Sequence, residues 1–358
     1  MRSEAGFLGS RRRYDPGMDE PETRVARRLA SERLLARLAV SDDPVLAYKG
    51  RILTGLSRDS SEAGALRARI MGSPIATALR RCLGQDTRTL AHTYRKWQGP
   101  HWTFVSLAMI DYPPGDESLR PLMRLIRDWV LGKRYLTPPW TTIYPGQEDR
   151  VRRCGSQDGN VIWYSLQLGL EEDWTRQVVD RLIGWQWPDG GWNCDKRLGA
   201  DSSSFQETCI PMRALWAYGT RHGYEPALRA ADRAAELLLS RRLLWRQRDG
   251  RLIEPEWGGH VDRIRFPIQF YDVLTSLQFM AEMGRIGDPR CADALALLES
   301  KRLPDGGFPV EIRDAETSDR VVARGTYADW GPGSRTRANP LVSLAALGVL
   351  RAAESARS

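Results

Sequence analysis

No apolar run in this chain of 358 residues approaches the roughly 20 residues that a bilayer-crossing helix requires, so no membrane-spanning segment is expected. Met1 to Glu20 holds Arg11, Arg12 and Arg13 but no apolar stretch behind them, which argues against a secretory signal. Residues 1–20 therefore read as a disordered basic arm. Lysine is scarce: Lys49, Lys96, Lys133, Lys196 and Lys301 are the only five, so the cations are almost all arginine. The net charge of +8 is spread among alternating acidic and basic residues. It forms no basic stripe interleaved with aromatics, so a nucleic-acid partner is not expected. The five cysteines, Cys82, Cys154, Cys194, Cys209 and Cys291, are odd in number and far apart, with no C-x-x-C pair. Neither a disulfide scaffold nor a structural zinc site is indicated by that spacing, and a reducing cytoplasm is the expected compartment. G-x-x-x-x-G-K, G-x-G-x-x-G and H-E-x-x-H are all missing, so no cofactor and no metal ligand set is expected. No stretch alternates with period two for long enough to make a sheet.

What is present is helical periodicity. Pro21 to Val40 carries Val25, Leu29, Leu34, Leu35 and Leu38 at helical spacing. Ser41-Asp42-Asp43-Pro44 is a cap-and-proline start for a second helix to about Leu56, and Ser60-Ser61-Glu62 starts a third that ends near Gly84. Residues 21–84 read as an N-terminal helical cap. From residue 85 the chain repeats itself. Trp185-Gln186-Trp187-Pro188-Asp189-Gly190-Gly191-Trp192 recurs as Lys301-Arg302-Leu303-Pro304-Asp305-Gly306-Gly307-Phe308, with a weaker copy at Arg246 to Leu252. Asp189, Asp249 and Asp305 are therefore about one helical hairpin apart. Amphipathic helices are expected at Ser118–Leu131, Trp174–Trp185, Glu225–Leu244 and Pro289–Lys301. More apolar ones are expected at Trp102–Ile110, Asn160–Leu168, Phe205–Tyr218, Ile268–Met283 and Pro340–Ala352. Two alternating classes of helix suggest an outer and an inner layer, an all-α double ring over 85–358.

Asp-Gly-Gly followed by Trp or Phe, after a helix ending in Trp-Gln, resembles the QW-type turn of squalene and oxidosqualene cyclases. Similar turns occur in the β subunits of protein prenyltransferases. The resemblance covers roughly the C-terminal three quarters of the chain and implies an α/α toroid. It does not imply a reaction, because the turn is structural: Asp caps the next segment, glycines take positive φ, and the aromatic packs between helices. The family's chemical motifs are missing. No D-x-D-D acid motif and no D-D-x-x-D magnesium motif occurs, and the prenyltransferase Asp-x-Cys zinc pair fails at Asp272, which is followed by Leu274 at the cysteine position.

In such a ring the polar residues that precede each inner helix are the candidate site, since helix N-termini favour anions there. Asp158, Glu207 and Asp272 hold equivalent places on three successive inner helices and suit general acid–base work, with His101 as a possible proton shuttle. Each has a bland alternative. Asp158 fits an N-cap, Glu207 fits a Ser-x-x-Glu capping box with Ser204, and Asp272 fits a salt bridge to Arg265 or Arg335. His101 fits helix-start packing. Trp102, Arg153, Gln157, Asn160, Ser203, Phe205, Gln269, Tyr271, Arg335 and Arg337 are the candidate substrate contacts. His260 resembles His101 in context. Cys194, beside Asp195 and Lys196, is a candidate activated thiol, although a lone cysteine near a charged turn is usually inert.

The expected function is binding or transformation of an isoprenoid or other apolar small molecule in a central cavity. The alternatives are a carbohydrate-active lyase or hydrolase, which helical toroids also host, and a non-catalytic scaffold for a protein partner.

Overall fold

A computed structural model describes residues 21–84, 92–246, 248–253, 261–267 and 271–357. The basic arm, His260 and Gln269 lie outside the described residues. Fourteen α-helices occupy most of the rest: α1 Pro21–Ala39, α2 Pro44–Leu53, α3 Ser61–Arg69, α4 Pro74–Leu79, α5 Pro100–Met109, α6 Arg120–Val130, α7 Lys133–Leu136, α8 Gly155–Gln167, α9 Trp174–Gly184, α10 Phe205–His222, α11 Glu225–Ser240, α12 Val273–Glu282, α13 Ala292–Ser300 and α14 Pro340–Ser355. The protein is mainly α-helical. Strands among the described residues are short and form three two-stranded pairs. The largest is an antiparallel ribbon of Thr142–Tyr144 with Gln147–Arg152, for which no alternating pattern gave warning. No helix among the described residues is long and apolar enough to cross a membrane.

Most helix starts follow their sequence signals. Asp43 accepts the Val45 and Leu46 N–H groups, and Ser60 accepts that of Ala63. The third expected helix is in fact two. Pro74 cannot continue a helix, so Ser73 turns extended and caps α4 by accepting the Ala76 N–H. The helix expected from Ile268 begins only at Val273, because Asp272 is its N-cap.

Helices pack as sequential hairpins, α5 on α6, α8 on α9, α10 on α11 and α12 on α13. One member of each pair also meets the next, so that α5, α8, α10, α12 and α14 form a continuous series. At its end α14 packs on α1 and α2, and Lys49 of α2 reaches Asp111, just beyond α5, at 2.5 Å. Within this series α5, α8, α10 and α12 are buried along most of their length, which is why they read as strongly apolar. The α6, α9 and α11 helices bury only one stripe.

The repeated turn explains the register. In one copy Trp187 N–H donates to Gly191 O and Gly190 N–H to Trp187 O; in the other Leu303 N–H donates to Gly307 O and Gly306 N–H to Leu303 O. Trp192 is buried and its indole N–H donates to Leu182 O at 2.9 Å. Gln186 ties the turn to the next hairpin through Ala230 O, at 2.8 Å. In the other copy Arg302 takes that place and bonds Ser31 of α1, whose hydroxyl donates to Gly306 O at 2.6 Å. The last turn therefore grips α1 much as the earlier turn grips α11.

Candidate functional site

The first turns of α5, α8 and α10 carry the candidate side chains. After the ribbon, Arg152 is buried and donates to Gln147 Oε1 at 2.6 Å and Ala200 O at 3.0 Å, which fixes the chain as it enters α8. Arg153 follows, fully buried, with its guanidinium 3.4 Å from the Tyr135 ring centroid and donating to Gln157 Oε1 at 3.1 Å. Cys154 is then the N-cap residue of α8, yet its side chain makes no capping bond. Ser204, Asp272 and Asn339, at the same place before α10, α12 and α14, all accept helix N–H groups.

Asp158 is not an N-cap. It lies in the first turn of α8, fully buried, with Oδ1 2.9 Å from the Tyr135 hydroxyl and Oδ2 receiving Nε and Nη2 of Arg181 at 3.0 and 2.9 Å. Burial raises its pKa, while Arg181 and Arg153 pull it back. Its oxygens are saturated by a fork and a phenol, so it orients Arg181 and Tyr135.

Glu207 makes only half of the expected capping box. Its N–H donates to Ser204 Oγ at 3.1 Å, but its carboxylate does not return to Ser204, whose N–H goes to Trp192 O. Oε2 instead accepts the Ser156 N–H at 2.9 Å, and Oε1 lies 3.5 Å from Cys194 Sγ. Burial raises the Glu207 pKa against these bonds. Cys194 sits two residues past the Trp192 turn. Its thiol is pushed well above the usual range, first by its hydrogen bond with Cys154, then by the Glu207 charge and burial. The two sulfurs and a Glu207 oxygen all lie within 4.8 Å of one another. Both cysteines are half-buried and Glu207 is buried.

His101 is fully buried among Tyr94, Trp102, Trp129 and Tyr164, with Nδ1 3.3 Å from the Tyr164 hydroxyl. Burial lowers its pKa to about 3, so the ring is neutral at physiological pH. Trp102 is buried edge-on to Trp97, with centroids 4.3 Å apart. Tyr94 bridges this aromatic group to Gln157 through a side-chain hydrogen bond. Asn160 is buried on α8.

The fold thus gathers Arg153, Gln157, Asp158 and Glu207, with His101 and Trp102 adjoining through Tyr94. It gives the other candidates separate contacts. Asp272 accepts the Thr275 and Arg265 N–H groups at 2.7 and 2.8 Å, and burial raises its pKa to about 6. The Arg265 guanidinium pairs with Asp314, not with Asp272. Ser203 donates to Asp189 through its N–H and hydroxyl, Phe205 packs against Tyr271 at 4.9 Å, and the Tyr271 hydroxyl donates to Leu243 O. Arg335 and Arg337 are exposed on the loop before α14.

A cavity of about 780 Å³ lies elsewhere, walled by α2, α5, α8, α10, α12 and α14. None of the candidate residues expected from the sequence and described above lines it, although Arg265 and Thr275, which bond Asp272, do. The far ends of α5, α8 and α10 and the lengths of α12 and α14 form its walls, where Trp163, Leu166, Trp216 and Leu274 supply apolar surface. Charges on this wall are paired. Arg213 lies 3.8 Å from the Trp163 ring centroid and donates to Glu282 at 2.6 and 2.7 Å. Burial opposes ionisation of Asp111, but Lys49, Arg58 and Arg67 outweigh it and hold its carboxyl below the ordinary range.

No family model, curated protein or solved structure matches the chain.

Cys154, Tyr94 and Tyr135 were not singled out by sequence reasoning. The signal that could have found Cys154 is register: it stands where α10, α12 and α14 carry Ser, Asp and Asn caps.

Proposed function

We propose that the chain is an α/α toroid that binds an apolar small molecule of the isoprenoid class in its central cavity. One observation carries the reading: six helices from separate hairpins line one cavity of about 780 Å³. That size falls in the range of about 300–1,000 Å³ typical of small-molecule sites. The closed ring is supported by the grip of the last turn on α1, which parallels the grip of the earlier turn on α11. In this reading residues 21–84 contribute a wall of the ring through α2, beyond capping it.

The apolar wall suits a hydrocarbon tail, and aromatic faces at Trp163 and Trp216 add polarisable surface. Arg58 and Arg221, also on the lining, make only long ion pairs, 3.5 Å to Asp111 and 3.9 Å to Glu171, and suit an anionic end such as a diphosphate. The carboxylates on the wall, Asp111 and Glu282, are ion-paired, which favours binding over alkene protonation as the cavity's task.

The test is thermal-shift titration and product analysis with squalene and with geranyl, farnesyl and geranylgeranyl diphosphates, with and without magnesium. Stabilisation by one class of ligand that Ala217→Trp abolishes is the expected result. No shift and no product with any of them would overturn the reading.

A further inference from the structure

Cys154, Cys194 and Glu207 stand apart from the cavity and come from three separate segments: the N-cap of α8, the loop after the Trp192 turn and the first turn of α10. We propose that they form a zinc site with three protein ligands and a fourth position open to water or a small anion.

The spacing fits. With Zn–S of about 2.3 Å and Zn–O of about 2.1 Å, a tetrahedral ion sets S···S near 3.8 Å and S···O near 3.6 Å. Cys194 Sγ and Glu207 Oε1 are 3.5 Å apart, and all three ligand atoms lie within 4.8 Å of one another. The ligand set also selects the metal. Two thiolates are too soft for magnesium or calcium, and with one carboxylate they suit zinc.

The surroundings are built as outer-shell support. The second Glu207 oxygen accepts the Ser156 N–H at 2.9 Å, which fixes the carboxylate with Oε1 towards Cys194. Zinc with two thiolates and a carboxylate carries one net negative charge. The buried Arg153 guanidinium, within electrostatic reach of Cys154 and Glu207, balances it. Metal uptake would release the two thiol protons to solvent. Both cysteine residues are half-buried, which suits entry of the ion and a fourth ligand from solvent.

The chain contains its own control. Trp192 N–H bonds Thr208 Oγ1, as Phe308 N–H bonds Ser343 Oγ, and the Ser204 N–H meets Trp192 O as the Asn339 N–H meets Phe308 O. In this register Cys194 corresponds to Val310 and Glu207 to Val342. The same turn therefore forms with two valines, and the turn itself does not require the thiol and the acid. Cys154 likewise gives up the capping bond that Ser204, Asp272 and Asn339 make.

The experiment uses the full chain, purified under reducing conditions, made metal-free, reloaded with zinc and assayed by plasma mass spectrometry. About one zinc per chain is expected, falling at least tenfold in Cys154→Ser and in Cys194→Ser, whereas Cys209→Ala and Cys291→Ala retain it. Glu207→Gln keeps zinc but yields it to a chelator sooner. If a cysteine variant fails to fold, cobalt(II) loaded into the wild-type protein serves instead. A thiolate-to-cobalt charge-transfer band with strong tetrahedral d–d absorption supports the site. Zinc-free wild-type protein after reloading, zinc retained in the double cysteine variant, or cobalt bound without a thiolate band would each overturn it.

Discussion

Gly306→Ala tests the joint between the last repeated turn and α1, with Gly250→Ala as its partner. Both glycines have positive φ, +82° and +65°. An alanine at either should cost about 1–2 kcal/mol for the left-handed backbone. The environments differ. A Cβ at Gly250 meets nothing within 4 Å, whereas at Gly306 it would stand 2.2 Å from the Ser31 backbone nitrogen. Such a contact cannot be relieved by a rotamer, so α1 must shift. That shift would also break the bond from Ser31 Oγ to Gly306 O. Overpacking costs about 1–3 kcal/mol and the lost hydrogen bond about 1 kcal/mol. Gly306→Ala should therefore be about 2–4 kcal/mol worse than Gly250→Ala in urea unfolding, and α1 should become the first site of limited proteolysis. Equal losses for the two variants, or no change in cleavage at α1, would refute the claim that α1 is docked on this turn.

Two further perturbations follow from the buried polar groups. His101 binds a proton at its ordinary pKa of 6.5 when unfolded but only near 3 when folded. Stability should therefore fall as pH drops through that window, by an amount on the order of 5 kcal/mol at the lower end. His101→Gln should flatten the pH dependence of urea unfolding there, and an unchanged slope would count against a neutral buried imidazole. Arg181→Met strands the Asp158 carboxylate in the interior and should cost about 3–5 kcal/mol, with Asp158→Asn in the same background recovering much of the loss. A cost below about 1 kcal/mol in the single variant would mean that the pair is not buried as described.

Helical content and most helix starts were legible in the sequence because local signals act locally. Asp43, Ser60, Ser204 and Asn339 each cap a helix through a side chain a few residues from its target. The repeated turn was legible too, since Gly190 and Gly306 need positive φ and the aromatics need a buried slot. A proline inside a periodic run was harder to weigh, and Pro74 divided what looked like one helix.

Site chemistry was less legible, since residue type alone does not say where a side chain points. Asp158 and Glu207 occupy matching turns, yet one is spent on Arg181 and Tyr135 and the other faces two thiols. Asp272, expected at an equivalent place, is instead the N-cap residue of its own helix, in the register of Cys154 and Ser204.

By itself the sequence determined the helices, their hairpin period and the turns that join them, through capping, periodicity and the φ > 0 demand of glycine. Only the tertiary structure decided that Cys154 meets Cys194 forty positions later, and that the large cavity is walled by other residues than the polar ones before and in the first turns of α5, α8 and α10. Those outcomes depend on how whole helices stack, and a one-dimensional spacing carries no record of that.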